Sequence, residues 1–158
     1  MAACIRCAKC IEICPREVIA PAHIEKGLLN SRTPTLDFSH DYCDFCLDEN
    51  GGDPLCAKAC PTDALCLPDQ ATDANTIIGK AVIRKDWCLA FMLIGCRFCY
   101  DACPYHAIEL DSYGRPFVIE ADCNGCGACE SVCVSLQNAS ISSGATERAV
   151  VVRPESEA

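Results

Sequence analysis

The stretch "CIRCAKCIEICP", from Cys4 to Pro15, sets four cysteines at C-x₂-C-x₂-C-x₃-C and puts a proline directly behind the last. Three thiols two residues apart sit in one tight loop and reach a shared point more readily than they pair with remote partners. The fourth, three residues on, falls on a short helical turn that points away. The proline behind it disfavours the α region at that cysteine and stops the helix. This is the bacterial ligand run for a [4Fe–4S] cluster, in which the fourth cysteine serves a second cluster.

The run recurs. "CNGCGACESVC" repeats the spacing with Cys123, Cys126, Cys129 and Cys133, but has Val134 where proline is expected. Gly125 and Gly127 are read as cofactor-binding positions, small enough to let backbone N–H groups approach the cluster sulfurs. "CDFCLDENGGDPLCAKACP" supplies Cys43, Cys46, Cys56 and Cys60, with nine turn-forming residues between its second and third cysteines. Those nine bulge outward without separating the loop ends. "CLAFMLIGCRFCYDACP" makes the same change one step earlier, with seven residues between Cys88 and Cys96, followed by Cys99 and Cys103. Each group then offers four ligands, and of the 17 cysteines all but Cys66 belong to a set. Cys66, in "PTDALCLP", is read as a buried, inert thiol.

Cysteine makes up about 11% of the 158 residues, above the roughly 8–10% that marks a disulfide scaffold. The odd count, the absence of a secretory leader and the bunched spacing argue against disulfides. A zinc ribbon needs only separated C-x₂-C knuckles and gives no reason for third and fourth cysteines in register. A formal net charge of −9 and the lack of a basic stripe exclude a nucleic-acid footprint. The longest uncharged stretch, "WCLAFMLIGC", is too short to span a bilayer. Because Cys4 follows Met1 so closely, the natural precursor is expected to continue upstream. No catalytic triad, phosphate loop or dinucleotide fingerprint is present, so no enzyme activity or catalytic residue is expected. His23, His40 and His106 are surplus to complete cysteine sets.

The connectors after the first three C-P elements, "CPREVIA", "CPTDALCL" and "CPYHAIEL", each lead through turn residues toward a strand that feeds the next group. "AIEL" and "PFVIE" read as hairpin arms around Ser112–Arg115, and "KAVIRKDWC" as a strand entering Cys88. "AVVV" is β-like, within a C-terminal tail taken as 146–158. Four half-units make an internal repeat and two two-cluster modules. The fold class is α+β, loop-rich, with aromatics at only 6%. Clusters replace much of the usual core, so metal-free chain is expected to be largely unfolded.

With these groups in hand, the chain resembles the four-cluster ferredoxin-type subunits of periplasmic nitrate reductase and methylamine utilisation systems, the NapG/MauM group. The resemblance rests on "CIRCAKCIEICP", "GLLNSRTP", "CAKACPTDAL", "CLAFMLIGCRFCYDACP" and "CNGCGACESVCV", and runs from about Ala3 to Ile141. The long step after Cys88 and the missing proline after Cys133 are its specific marks. The resemblance implies four [4Fe–4S] clusters and an electron-transfer role in anaerobic respiration or a similar system. It implies a membrane quinol dehydrogenase as donor partner, a reductase subunit as acceptor, and a hetero-oligomeric complex at the periplasmic face. The alternatives are a wire subunit built permanently into a molybdenum-type or similar oxidoreductase and, from another class, a zinc or disulfide structural module; the alternative location is cytoplasmic. For the pairing of groups, the 19 residues between Cys103 and Cys123 favour joining the third group with the fourth. The resemblance instead implies a nested order, with 1–40 and 105–145 as one module and 41–104 as the other. Cys4, Cys7 and Cys10 then share a cluster with Cys133, and Cys14 joins Cys123, Cys126 and Cys129. Likewise Cys43, Cys46 and Cys56 take Cys103, while Cys88, Cys96 and Cys99 take Cys60.

Overall fold

In the computed structural model, residues 4–22, 31–66, 76–136 and 144–154 are described. The chain divides into two compact units, Met1–Thr76 and Ile77–Ala158. This corrects the nested expectation. The first two cysteine groups fall in one unit and the last two in the other, so each unit is built from neighbouring stretches of chain. The physical reason is the short connector: a group and its successor close on each other at little loop entropy, whereas nesting spans most of the chain.

The first unit opens with α1 (Lys9–Ile13), which ends at Cys14 in extended backbone, φ −69° and ψ 114°. Pro15 enforces that ending. Strands β1 (Ile19–Pro21) and β2 (Pro34–Leu36) form an antiparallel ribbon with Ile19 opposite Leu36. Val18, Phe38 and Phe45 are buried in this unit. The nine-residue insertion of the second group holds a helical turn, α2 (Leu47–Asn50), capped by Gly51 at φ 63°. α3 (Leu55–Lys58) follows and packs against α1.

The second unit contains β3 (Lys80–Ile83), α4 (Phe98–Ala102), β4 (Ile108–Leu110), β5 (Pro116–Val118), α5 (Ala128–Ser131) and β6 (Val150–Arg153). β4 and β5 are the expected hairpin, with Ile108 opposite Val118, and α4 packs against α5. β3 enters the Cys88 region as read, but its antiparallel partner is β6, with Lys80 opposite Arg153 and Ile83 opposite Val150. The 146–158 stretch is therefore not simply a tail: Ala149, Val150 and Val151 are among the most buried residues of the unit. A buried cluster joins Ala81, Cys99, Ala107, Ile108, Cys123, Cys129 and Val150. Cysteine thus occupies positions that a conventional domain gives to leucine or isoleucine.

Candidate metal centres

Three turns of the same design follow the first three groups. Glu17, Asp63 and His106 each stand three residues after a group's last cysteine, with φ of 54°, 48° and 52°. Their N–H groups donate to the carbonyls of Cys14, Cys60 and Cys103 at 3.2, 3.4 and 3.3 Å. Proline supplies the fixed φ of the second turn position. In the third of these turns the next N–H, from Ala107, donates to Cys103 Sγ at 3.3 Å. The fourth group lacks the proline and the turn. There the buried Ser135 hydroxyl lies within hydrogen-bond distance of Cys133 Sγ, at 3.2 Å, and accepts the Ala149 N–H at 2.7 Å.

The loops ahead of the helices twist through left-handed backbone to turn N–H groups inward. In the first group Arg6 and Ala8 take φ of 57° and 64°; in the fourth, Gly125 and Gly127 take the same register at 82° and 87°. Side chains there cost roughly 1–2 kcal/mol each, which glycine avoids. Gly125 has a second constraint. A Cβ on it would lie 2.4 Å from the Gly79 carbonyl oxygen, so two backbones meet where no side chain fits. Two buried side chains brace the loops of groups two and four. Asp44 Oδ1 accepts the Cys46 N–H at 3.0 Å, and Asn124 Oδ1 accepts the Cys126 N–H at 3.1 Å. Their signal was the shared pattern of Asp or Asn directly after a group's first cysteine. Asp44 also receives Arg16 at 3.0 Å, which ties the chain just beyond Cys14 to the Cys43 loop.

These elements gather the sixteen grouped cysteines into four sets of four. Cys4, Cys7, Cys10 and Cys60 line one cavity of about 200 Å³. Cys14 lies within electrostatic reach of Cys43 and Cys56, and Cys46 within reach of Cys56. Cys88, Cys96, Cys99 and Cys133 line a third site. Cys103, Cys123, Cys126 and Cys129 line a fourth. Within each unit the last cysteine of one group joins the first three of the other. The nested sets fail at their most direct point: Cys14 sits with Cys43 and Cys56, and Cys133 with Cys88, Cys96 and Cys99.

Burial raises the thiols above their ordinary range. Cys43 and Cys99 are pushed up to about 12 and Cys126 to about 11, with burial the largest cause. Neighbouring cysteines add to the rise, in Cys99 through Cys88, Cys133 and Cys96. Cys60 goes the other way, lowered by hydrogen bonds from the Leu65 and Thr62 backbone. Crowded sulfurs without a cation among them are what a metal centre relieves, since metal takes the thiolate and releases the proton.

The donor sets fit [4Fe–4S] clusters: four cysteines each, with backbone N–H groups turned toward sulfur. A zinc ion holds its sulfurs at about 2.3 Å, and among the described residues no three His, Cys, Asp or Glu side chains stand that close together. All 17 cysteines are free, so no disulfide holds the units. Cys66 is exposed rather than buried, a correction to the expected inert core thiol, and stands apart from the four sets. The loop after Cys88 divides: Leu89 and Ala90 are buried, while Leu93 and Ile94 are 87% and 63% exposed. No helix among the described residues is long and apolar enough to cross a membrane.

Two matches to 4Fe-4S dicluster domains cover residues 3–65 and 94–136, one in each unit. The chain is 32% identical to the ferredoxin-type protein NapF of Escherichia coli over 136 residues, covering 82% of this chain and 70% of that one. The chain belongs to the family of NapG-, NapF- and MauM-like ferredoxin-type proteins. NapG of the same organism is 32% identical over 149 residues, covering 87% of this chain and 62% of its own. The methylamine utilization ferredoxin-type protein MauM of Methylorubrum extorquens is 35% identical over 145 residues, covering 85% and 62%. The chain thus spans somewhat under two thirds of NapG and MauM. As a ferredoxin-type iron–sulfur electron-transfer protein with two dicluster domains, it carries four [4Fe–4S] clusters.

Proposed function

We propose that this protein relays single electrons from a quinol-oxidising membrane partner to a reductase, with no substrate site of its own. A bound [4Fe–4S] cluster supplies the chemistry, taking up and giving back one electron at nearly constant geometry. The chain's residues do the rest. Cys4, Cys7, Cys10 and Cys60 hold one cluster, and Cys14, Cys43, Cys46 and Cys56 a second. Cys88, Cys96, Cys99 and Cys133 hold a third, and Cys103, Cys123, Cys126 and Cys129 the fourth. Exchange of one cysteine per group keeps two centres of a unit side by side, which short-range electron transfer needs. Gly125 and Gly127 let the Cys123 loop close around its centre. Donors such as the Ala81 N–H, 3.4 Å from Cys123 Sγ, favour added negative charge on sulfur.

The single observation that carries this reading is the fourfold gathering of four cysteines, three from one group and one from its neighbour. The partners, the stable hetero-oligomeric assembly and the periplasmic face rest on the family resemblance. The formal charge of −9, made more negative by thiolate-bound clusters, suits docking on basic or apolar partner surfaces. Anaerobically isolated protein is expected to be brown, to bleach with dithionite, and to hold iron and acid-labile sulfide in equal amounts, about four of each per set of four cysteines. Colourless protein containing zinc would reject the reading.

A further inference from the structure

Lys80 is a buried cation that the ligand sets do not use. It opens β3, is only 9% exposed, and donates from Nζ to two backbone carbonyls, Glu120 at 2.6 Å and Cys123 at 2.8 Å. Among the described residues it has no carboxylate partner. Three carboxylates of the unit are paired with arginines: Glu147 with Arg84 and Arg153, Asp111 with Arg115, Asp101 with Arg97. A buried ammonium is costly unless its charge is met. Two carbonyl dipoles meet part of it, and the carbonyl of Cys123 belongs to the residue whose sulfur lines the fourth site. The next residue of the strand, Ala81, donates its N–H to that same sulfur. β3 therefore directs an N–H to a sulfur of one centre and fixes a cation on the backbone carbonyl of that same cysteine.

We propose that Lys80 is a positioning residue that sets the reduction potential of the centre formed by Cys103, Cys123, Cys126 and Cys129, holding it above the value it would otherwise take. The proposal rests on the ligand reading above. The sign of the charge sets the direction of the effect. One-electron reduction adds one negative charge to an already anionic thiolate-bound centre, and a nearby cation in a low-dielectric interior favours the reduced side. At the centre of Cys88, Cys96, Cys99 and Cys133, the uncharged Ser135 hydroxyl lies 3.2 Å from Cys133 Sγ. Lys80 thereby gives the two centres of one unit different potentials, and with them a preferred resting place for the electron.

The test is an EPR-monitored titration of the full chain with dithionite as reductant, in wild type, Lys80→Met, Lys80→Gln and Lys80→Arg. Iron and sulfide content is measured alongside, which reads the ligand assignment independently of the potential. One midpoint is expected to fall in Lys80→Met and Lys80→Gln by at least tenfold in the reduction equilibrium, about 59 mV for a one-electron couple. The other midpoints should hold, and Lys80→Arg should stay near wild type. Unchanged midpoints with full cluster content would overturn the proposal. So would a uniform fall in all of them, which marks a general charge effect. Loss of a centre from both neutral variants but not from Lys80→Arg would also overturn it, leaving Lys80 a structural clamp on the Cys123 loop.

Discussion

Cys88 and Cys66 are both thiols outside a tight C-x₂-C loop, yet their surroundings separate them. Cys88 is buried, its thiol raised by burial and then by Cys133 and Cys96, and it faces a cavity shared with three other cysteines. Cys66 is exposed and belongs to no set. Cys88→Ser is therefore expected to lose one centre or convert it to a three-iron form, while Cys66→Ser keeps full iron and sulfide. Metal analysis of the two variants decides, and the reverse pattern would remove Cys88 from the third site. Gly125 makes a second prediction at this scale. Alanine there meets both a left-handed φ and the Gly79 backbone, so Gly125→Ala should cost well over the about 1 kcal/mol of an ordinary Gly→Ala strain and lower iron retention. Retention equal to wild type would show that the two loops part freely.

Among the elements, β6 matters most for its length. Val150 and Val151 are 1% and 4% exposed, the strand pairs with β3, and Ala149 N–H holds the Ser135 hydroxyl toward Cys133. Ending the chain at Arg148 should uncover Ala81 and loosen both Cys123 and Cys133. Iron is expected to drop toward half, with the first unit's share kept; undiminished iron would make β6 dispensable. The β4–β5 hairpin was legible because its arms and turn are adjacent in sequence and carry their own signals. β6 was not, because "AVVV" says only that a strand forms there, and its partner lies nearly seventy residues earlier. The end of each helix at a Cys-Pro was legible through proline. The Ser135 replacement was not, since a serine near a cysteine has no spacing rule.

For the molecule as a whole, the proposed arrangement has each unit build two sites by exchanging one cysteine between neighbouring groups. The four groups follow from local spacing, which is why sixteen proposed ligands are legible in the sequence. Which group serves which cannot be read that way, because every group ends in the same C-x₃-C. The 19-residue step from Cys103 to Cys123 pointed to neighbouring groups, and the division at Thr76 and Ile77 agrees with it rather than with the nested order. Iron-edge anomalous diffraction from crystals of the intact, cluster-loaded protein tests the account most directly. It should show four four-iron centres, with Cys14 on the centre held by Cys43, Cys46 and Cys56, and Cys133 on that held by Cys88, Cys96 and Cys99. An iron centre bounded by Cys4, Cys7, Cys10 and Cys133, or single-metal peaks in place of four-iron ones, would contradict it.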